Sequence, residues 1–254
     1  MENMEKKLGN LKIRIFETYE EMSEEAALFL AGQLKEKPDS SLGFATGSTP
    51  IGMYGALCKL NKDNKIDFSK VRATFNLDEY HPIKKTDDQS YYYFMMENLF
   101  NHININQSII NIPNGEAADP AAECINYEKA IEAAGGIDFQ LLGIGINGHI
   151  GFNEPDTSLS AITHYTPLTD ETIEANSRFF ESFELVPKHA ITMGVQTILQ
   201  AKKILLLCSG EKKAGIIRDT VYGPITTEVP ASLLRLHQDV TIMADKAAGK
   251  YLCK

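Results

Sequence analysis

The residues best suited to proton transfer lie in one glycine-rich segment, residues 143–155. Its sequence, GIGINGHIGFNEP, places Asn147, His149 and Glu154 among glycines and apolar residues. A histidine side chain titrates near neutral pH, so it can both take up and release a proton. A neighbouring carboxylate can orient the imidazole ring and stabilise its protonated form. A lone histidine is more often structural, but this setting predicts an acid–base site built around His149.

The same segment contains a GxGxxG pattern at Gly143, Gly145 and Gly148. In dinucleotide-binding proteins a helix opens at the third glycine, and an acidic residue follows about 20 residues later. Here Gly151, Pro155 and a stretch rich in Thr and Ser follow instead. We therefore interpret these glycines as a loop that approaches a ligand closely, and not as a nucleotide site.

Two adjacent acids, Asp78 and Glu79, follow the apolar stretch 73–76, where a predicted strand ends. A carboxylate at the end of a strand can point into a ligand crevice and act as a general base. The same pair can equally cap a helix or lie in solvent, and the two residues by themselves leave both interpretations open.

The segment 43–50, GFATGSTP, is the third motif. Gly47 permits a tight turn, Thr49 is a predicted helix N-cap, and Pro50 suits the first helical turn. Free backbone N–H groups, hydroxyls and the positive end of a helix dipole together attract an anion. The segment is not a Walker A loop, because no Gly-Lys-Ser/Thr follows. It predicts either a phosphate site or an ordinary connection, and the phosphate contacts would be Thr46, Gly47, Ser48 and Thr49.

The elements that carry these motifs alternate between strands and helices. Apolar runs predict strands at 12–16, 42–46, 73–76, 139–143, 189–193, 204–208 and 240–243. Helical patterns lie between them at 20–35, 51–60, 90–100, 120–133 and 212–222. Such alternation is typical of βαβ units, so we predict one α/β domain over residues 1–254. Its doubly wound, mostly parallel, Rossmann-like sheet is flanked by helices and binds ligands beyond the carboxyl ends of the strands.

The composition describes a folded, acidic chain. Of its 254 residues 43% are hydrophobic, and the formal net charge is −9. The apolar fraction excludes disorder, and the negative charge argues against nucleic acid or an anionic membrane as a partner. The longest apolar run, 26–31, is far shorter than the roughly 20 residues of a membrane span, and no signal-peptide pattern is present.

The cysteines and histidines indicate the compartment and the cofactor requirement. The four cysteines include no CxxC pair, which favours a reducing compartment, so we predict a cytoplasmic protein. The six histidines show no metal-ligand spacing, and no HExxH motif occurs. We therefore predict neither a metal nor an organic cofactor.

Five motifs, taken together and in their order along the chain, resemble those of the glucosamine-6-phosphate deaminases. They are ATGSTP at 45–50, FNLDEY at 75–80, GHIGFNEP at 148–155, NSRFF at 176–180 and GEKKA at 210–214. The resemblance extends from about residue 11 to about residue 245. The related 6-phosphogluconolactonases usually have Arg after the Asp-Glu pair and lack FNEP. Tyr80 and residues 152–155 therefore favour the deaminases.

The resemblance implies a reaction and a role for each catalytic group. Glucosamine 6-phosphate would be converted to fructose 6-phosphate and ammonia. Asp78 would take the C2 proton of the opened sugar and deliver it to C1. His149 would be the acid and base of ring opening, with Glu154 and Asn147 polarising it.

The resemblance also implies the substrate contacts. Arg178 and Lys213 would hold the phosphate beside the turn at 47–49, since arginine can bind phosphate in bidentate fashion and lysine acts as a point charge. Glu79 and Tyr80 are further candidates for substrate contacts. The Thr- and Ser-rich segment 156–183 is a possible mobile lid over the sugar.

The chain departs from the family pattern at one catalytic position and at two positions linked to regulation. Asn147 stands where many members have Asp, and His164 and Thr166 match the Arg and Lys that bind N-acetylglucosamine 6-phosphate in allosteric hexamers. The chain also ends at Lys254, before the tail that those members carry. We therefore predict a non-allosteric monomer or small homo-oligomer. The alternatives are a lactonase-like hydrolase on the same scaffold and a non-catalytic sugar-phosphate sensor.

Overall fold

Two sheets and the helices around them make up the computed structural model, which describes residues 4–177, 180 and 182–252. The strands are β1 (Met4–Leu8), β2 (Leu11–Phe16), β3 (Ser41–Phe44), β4 (Ala73–Asn76), β5 (Asp78–His81), β6 (Ile110–Asn111), β7 (Phe139–Leu142), β8 (His164–Pro167), β9 (His189–Thr192), β10 (Ile204–Cys208) and β11 (Val240–Asp245). The α-helices are α1 (Tyr19–Glu36), α2 (Ile51–Lys62), α3 (Tyr91–Asn98), α4 (Pro120–Ala133), α5 (Asp170–Ser177), α6 (Val195–Leu199) and α7 (Ala214–Tyr222).

The larger sheet has the strand order β1-β2-β11-β10-β7-β3-β4-β6. All its pairings are parallel except β1 with β2, which is antiparallel. Strands β3, β4, β7, β10 and β11 are buried along their whole length, as expected for a parallel sheet covered on both faces. The predicted α/β fold with a mostly parallel, doubly wound sheet is confirmed.

Local sequence signals explain where several helices begin. The side chain of Thr18 accepts a hydrogen bond from the backbone N–H of Glu21 and caps α1. Asp119 caps α4 in the same way, and Pro120 occupies the first helical turn, where its missing N–H costs nothing. The predicted helix at 120–133 therefore matches α4 residue for residue. None of the helices in the described part of the chain combines the length and apolar character that a bilayer crossing requires.

A strand does form at the predicted position 189–193, but the expectation that all strands join one sheet was wrong. It forms β9 of a second, antiparallel sheet with the order β5-β9-β8. The two sheets meet at Leu77, whose N–H donates to the carbonyl of Phe44 and whose carbonyl accepts from the N–H of Met193. The chain therefore leaves the larger sheet one residue before Asp78. An apolar run cannot reveal which sheet a strand joins, because pairing partners are set by tertiary contacts.

Two groups of buried apolar side chains stabilise this arrangement. The larger one lies on both faces of the large sheet. The smaller one packs Tyr80, Phe152, Ile173 and Ala190 together beside the small sheet. Because this second core combines residues of β5, β9, α5 and the segment after β7, it fixes those four parts of the chain relative to one another.

Candidate active site

A cleft of about 280 Å³ opens where several strands of the large sheet end. Its walls come from residues 45–50 after β3, 77–78 after β4, residues 143–145, 149 and 151–152 after β7, and Lys213 after β10. The strand order reverses between β3 and β7, since the chain runs from β3 to β4 on one side and later returns to place β7 on the other. Such a reversal leaves a crevice at the carboxyl ends of the strands, which is where ligands bind in this class of sheet.

The turn after β3 has the backbone shape of an anion site. Gly47 has a φ of 103°, a conformation that favours glycine. Within the described part of the chain, no hydrogen bond occupies the N–H groups of Gly47, Ser48 and Thr49. Thr46, Gly47, Ser48 and Thr49 all line the cleft. The four predicted phosphate contacts therefore lie together at one wall.

The expectation that Thr49 caps the following helix was wrong. Helix α2 begins at Ile51, and its N-cap residue is Pro50, whose side chain makes no capping hydrogen bond. The hydroxyl of Tyr19 accepts a hydrogen bond from the N–H of Gly52 at 2.8 Å and lies 3.0 Å from the carbonyl of Thr49. A tyrosine from α1 thus satisfies the helix end, so the Thr49 side chain is not needed as a cap.

Asp78 lies at the cleft with a strongly perturbed carboxyl group. Its side chain is buried, and the residue is 6% exposed. Burial, followed by the nearby negative charge of Glu79, raises the pKa of Asp78 to about 8. Among the described residues no group donates a hydrogen bond to its carboxylate. This carboxyl therefore combines high basicity with access to the cleft.

Glu79 and Tyr80 are not brought to the cleft wall. The carboxylate of Glu79 accepts hydrogen bonds from the backbone N–H groups of Tyr80, Tyr91 and Tyr92 at 2.9, 2.9 and 2.8 Å. It therefore anchors the N-terminus of α3, although burial raises the pKa of Glu79 to about 7 against the effect of these bonds. Tyr80 packs in the second core against Tyr91 and Phe152. Successive side chains of a strand point to opposite faces, which directs Glu79 away from Asp78.

The segment 143–155 brings its three polar residues into one hydrogen-bonded group. His149 Nδ1 lies 3.0 Å from Glu154 Oε2, and Asn147 donates to the same oxygen at 2.7 Å. The Asn147 side-chain oxygen accepts from the His149 backbone N–H at 3.2 Å. Burial opposes the ionised form of Glu154, but hydrogen bonds from His149, Thr172 and Asn147 outweigh it and hold its pKa below the ordinary value. This hydrogen-bonded group places the ionised carboxylate of Glu154 beside Nδ1 of His149, and the imidazole ring lines the cleft.

Thr192 joins this segment to the strand that carries Asp78. Its hydroxyl accepts a hydrogen bond from the N–H of Phe152 at 3.1 Å. In the small sheet Thr192 is also the register partner of Asp78. Gly151 passes between them, and a Cβ atom there would lie 2.8 Å from the Thr192 hydroxyl. A glycine with a φ of 59° is therefore needed for the segment to approach Asp78 this closely.

Among the described residues that line the cleft, Lys213 is the one lysine or arginine. It follows β10, and its amino group donates to the backbone carbonyl of Ile144. Burial lowers the pKa of Lys213 below its ordinary value. One hydrogen bond leaves two of the three donors of the ammonium group for a ligand. Arg178, the other predicted phosphate contact, lies outside the described residues, and so does part of the predicted lid 156–183.

Several cleft residues were missed by the sequence analysis. Thr172 of α5 and Tyr91 of α3 line the cleft, and Thr192 orders its wall. The signal for Thr172 was weak, because a threonine in a polar helix is usually a solvent-facing residue. Among the described residues no group of three or more His, Cys, Asp or Glu side chains is placed to hold a metal ion.

Comparison with known proteins relates this cleft to a family. The family model described as glucosamine-6-phosphate isomerases/6-phosphogluconolactonase matches residues 16–243. The chain belongs to this family. The match covers every described residue that forms the cleft, and it confirms the resemblance drawn from the five motifs.

Individual relatives lie on the deaminase side of the family. The chain is 55% identical over 242 residues to a glucosamine-6-phosphate deaminase of Clostridioides difficile, covering 95% of this chain and 97% of the relative. It is 54% identical to one of Halothermothrix orenii, covering 95% of this chain and 100% of the relative. A solved structure of a monomeric glucosamine-6-phosphate deaminase superposes with a TM-score of 0.91 at 47% identity, covering 94% of this chain and 98% of that chain.

Lactonases of the family share the fold at lower similarity. A 6-phosphogluconolactonase from Thermotoga maritima superposes with a TM-score of 0.73 at 19% identity, covering 93% of this chain and 99% of that chain. This similarity shows a common architecture. It carries no information about which reaction the cleft performs.

Proposed function

We propose that this protein is a glucosamine-6-phosphate deaminase, which converts glucosamine 6-phosphate and water to fructose 6-phosphate and ammonia. The proposal rests on one observation, which is that three groups with different chemical roles lie together at one cleft. The cleft is lined by a basic carboxylate (Asp78), by a histidine held by a carboxylate behind it (His149 with Glu154) and by an anion site (Lys213 with residues 46–49). Relatives more than half identical over nearly the whole chain are glucosamine-6-phosphate deaminases.

The first step is opening of the sugar ring. His149 moves a proton between the anomeric hydroxyl and the ring oxygen, and the C1–O5 bond breaks to give the open-chain aldehyde. Glu154 keeps one ring nitrogen of His149 engaged, so that the other faces the sugar. General acid–base catalysis of this kind typically contributes about 10²–10⁴-fold to the rate.

The second step moves a proton from C2 to C1. The ionised Asp78 carboxylate removes the C2 proton, and the electron pair forms a C1=C2 double bond as the aldehyde oxygen is protonated. Return of the proton to C1 leaves a protonated imine at C2. Water adds to this carbon, the C2–N bond breaks, and ammonia leaves to give the ketose. The raised pKa of Asp78, about 8, makes it a stronger base than an exposed aspartate.

One assay tests the proposal directly. Purified protein is incubated with glucosamine 6-phosphate, and fructose 6-phosphate and ammonia are both quantified. Equimolar appearance of the two products is expected. Absence of ammonia would overturn the proposal, and 6-phosphogluconolactone would then be tried as the substrate of the alternative hydrolase. Binding of the sugar phosphate with no turnover would favour the non-catalytic sensor.

Replacing Lys213 with Met tests the anion site. We expect kcat/KM for glucosamine 6-phosphate to fall by about 10- to 100-fold, because a charge-assisted hydrogen bond to phosphate is lost. The inhibition constant of inorganic phosphate should rise by a similar factor. Lys212→Met is the matched control, since Lys212 is adjacent and exposed. Equal phosphate inhibition of the two variants would contradict the role of Lys213.

Replacing Gly145 with Ala tests the space that the His149 ring occupies. A Cβ atom at 145 would lie 2.4–2.6 Å from three atoms of the imidazole, which Glu154 holds in place. Displacing the ring costs about 1–3 kcal/mol, so we expect kcat to fall about 10-fold or more. Gly32→Ala is the control, because Gly32 lies in α1, does not line the cleft, and a Cβ atom there has no described neighbour within 4 Å. Similar kcat values for the two variants would show that ring position does not limit the reaction.

The proposal includes the absence of activation by N-acetylglucosamine 6-phosphate. Burial lowers the pKa of His164, which favours its neutral form, and Thr166 carries no charge. Two cations that would attract an effector phosphate are therefore missing at these positions. Rates measured with and without the acetylated sugar should agree, and sigmoidal kinetics relieved by it would contradict the proposal.

We also propose a monomer or small homo-oligomer in the cytoplasm. The solved relative at 47% identity is described as monomeric. Cys58, Cys124 and Cys208 are free thiols, as expected in a reducing compartment. Light scattering on the purified chain tests the first point, since a monomer has a mass of 28.2 kDa. A hexamer in solution would overturn it.

A further inference from the structure

The two carboxylate oxygens of Glu154 have separate partners. Oε2 faces His149 and accepts from Asn147, as described above. Oε1 accepts a hydrogen bond from the hydroxyl of Thr172 at 2.6 Å. No other described group donates to Oε1. Removal of the Thr172 hydroxyl would therefore leave one oxygen of a largely buried carboxylate without a donor, and rotation of the carboxylate would then be less restrained.

The direction of the hydrogen bonds at Thr172 is determined by its neighbours. The hydroxyl of Thr169 donates to the hydroxyl of Thr172 at 3.1 Å. A hydroxyl has one proton to donate, so Thr172 accepts from Thr169 and donates to Glu154. The chain of donors ends at Oε1, which can accept this hydrogen bond only while it holds no proton of its own directed at Thr172. This arrangement opposes protonation of Glu154 at Oε1.

The position of Thr172 is set by the packing of α5. Thr172 lies in the first turn of α5, where the Thr169 hydroxyl accepts from its backbone N–H at 3.2 Å. The next residue, Ile173, is buried in the second core with Phe152, which belongs to the segment that carries His149. Thr172 is itself 7% exposed. Packing of α5 in the second core therefore places the hydroxyl beside Glu154.

We propose that Thr172 is a positioning residue for the reaction, which holds the Glu154 carboxylate ionised and turned toward His149. The inference rests on the proposed deaminase function and adds a residue to its machinery. The groups that hydrogen-bond to this carboxylate are His149, Asn147 and Thr172, and the bond from Thr172 is the one that reaches Oε1. Loss of the Thr172 donor should raise the pKa of Glu154, because hydrogen bonding to the ionised form is what keeps it low.

Thr172→Val and Thr172→Ser separate the hydroxyl from the packing of the side chain. Valine keeps the shape and removes the donor, whereas serine keeps the donor and removes a methyl group. We expect kcat for glucosamine 6-phosphate to fall about tenfold in the valine variant with KM changed less than about twofold. The serine variant should retain at least about half of the wild-type kcat.

A second readout needs no substrate. Protein labelled with ¹³C at the glutamate carboxyl carbon reports the titration of Glu154, whose signal is assigned by its loss in Glu154→Gln. The midpoint should move to higher pH in Thr172→Val and return to the wild-type value in Thr172→Ser. Because this titration is read on the free enzyme, it tests the positioning role even if the wild-type chain released no ammonia.

Two results would overturn the inference. An unchanged Glu154 midpoint in Thr172→Val would show that the hydroxyl does not act on the carboxylate. A serine variant as slow as the valine variant would assign the effect to packing by the methyl group. Should the valine variant not fold, Thr172→Ala is read by the same titration and the same comparison with serine.

Discussion

Replacing Asp78 with Asn should lower kcat by about 10²–10⁴-fold, because the variant has no base to remove the C2 proton. Exchange of the C2 hydrogen of glucosamine 6-phosphate with solvent, followed by NMR in deuterated water, should be lost to the same extent. Binding should change little, since Asp78 does not belong to the anion site at Lys213 and residues 46–49. Inorganic phosphate should therefore inhibit the variant and the wild type with similar constants.

The same substitution should make the protein more stable at alkaline pH. The pKa of Asp78 in the fold is about 8, whereas an aspartate in an unfolded chain titrates near about 3.9. Between these values the unfolded state has released a proton that the folded state retains. The free energy of unfolding therefore falls as the pH rises from about 4 to about 8, and Asn removes this loss. At pH 8 we expect Asp78→Asn to be more stable by about 2–5 kcal/mol, with the difference vanishing near pH 4.

The kcat/KM of the wild-type protein should depend on pH through the same carboxyl group. A base must be ionised to act, so kcat/KM should decline as the pH falls below about 8, where Asp78 takes up a proton. Asp88→Asn is the control for both measurements, because Asp88 is an exposed aspartate on the connection that follows β5. A variant at 78 that kept wild-type activity, or that was no more stable at pH 8 than at pH 4, would contradict this account of Asp78.

Replacing His149 with Gln is the change with the second largest expected effect. Glutamine can still hydrogen-bond to Glu154, but it cannot take up and release a proton at neutral pH. We expect kcat to fall by about 10²–10⁴-fold through loss of acid–base catalysis of ring opening. Glu154→Gln should give a smaller loss, about 10-fold, because His149 remains and loses the negative charge beside it.

The control for His149→Gln is His102→Gln. His102 is exposed, and its ring nitrogen lies 2.7 Å from the carbonyl of Glu97, far from the cleft wall. Steady-state kinetics of both variants, with phosphate inhibition as a check on the intact anion site, provide the comparison. Equal kcat values for the two histidine variants would show that His149 does not take part in proton transfer.

Local patterns were sufficient for the elements with strong internal signals. The helix at 120–133 was predicted at its exact bounds, because Asp119 and Pro120 mark its start and its apolar spacing is regular. The buried strands β4 and β10 were likewise predicted at their exact bounds, and the continuous apolar run of β10 suits a sheet covered on both faces. Strands β1, β5, β6 and β8 were missed. The sequences of β5 and β8, DEYH and HYTP, carry polar residues that β-propensity does not favour.

The site was predicted to the extent that its residues follow strands. Asp78, His149, Lys213 and residues 46–49 come after β4, β7, β10 and β3, and parallel strands present their carboxyl ends at one edge. Glu79 was expected at the substrate as well, but its carboxylate anchors α3 instead. Adjacent residues in an extended segment point in opposite directions, so proximity in sequence to Asp78 did not mean proximity to the cleft.

The sequence by itself therefore determined the α/β architecture, the family and the residues that meet at the cleft, because these depend on local periodicity and on short motifs. Only the tertiary structure decided the second sheet, the burial that raises the pKa of Asp78, and the contact of Thr172 with Glu154. These features depend on contacts between segments far apart in the chain. The free energy of such a contact is set by how the elements pack, which no single stretch of sequence encodes.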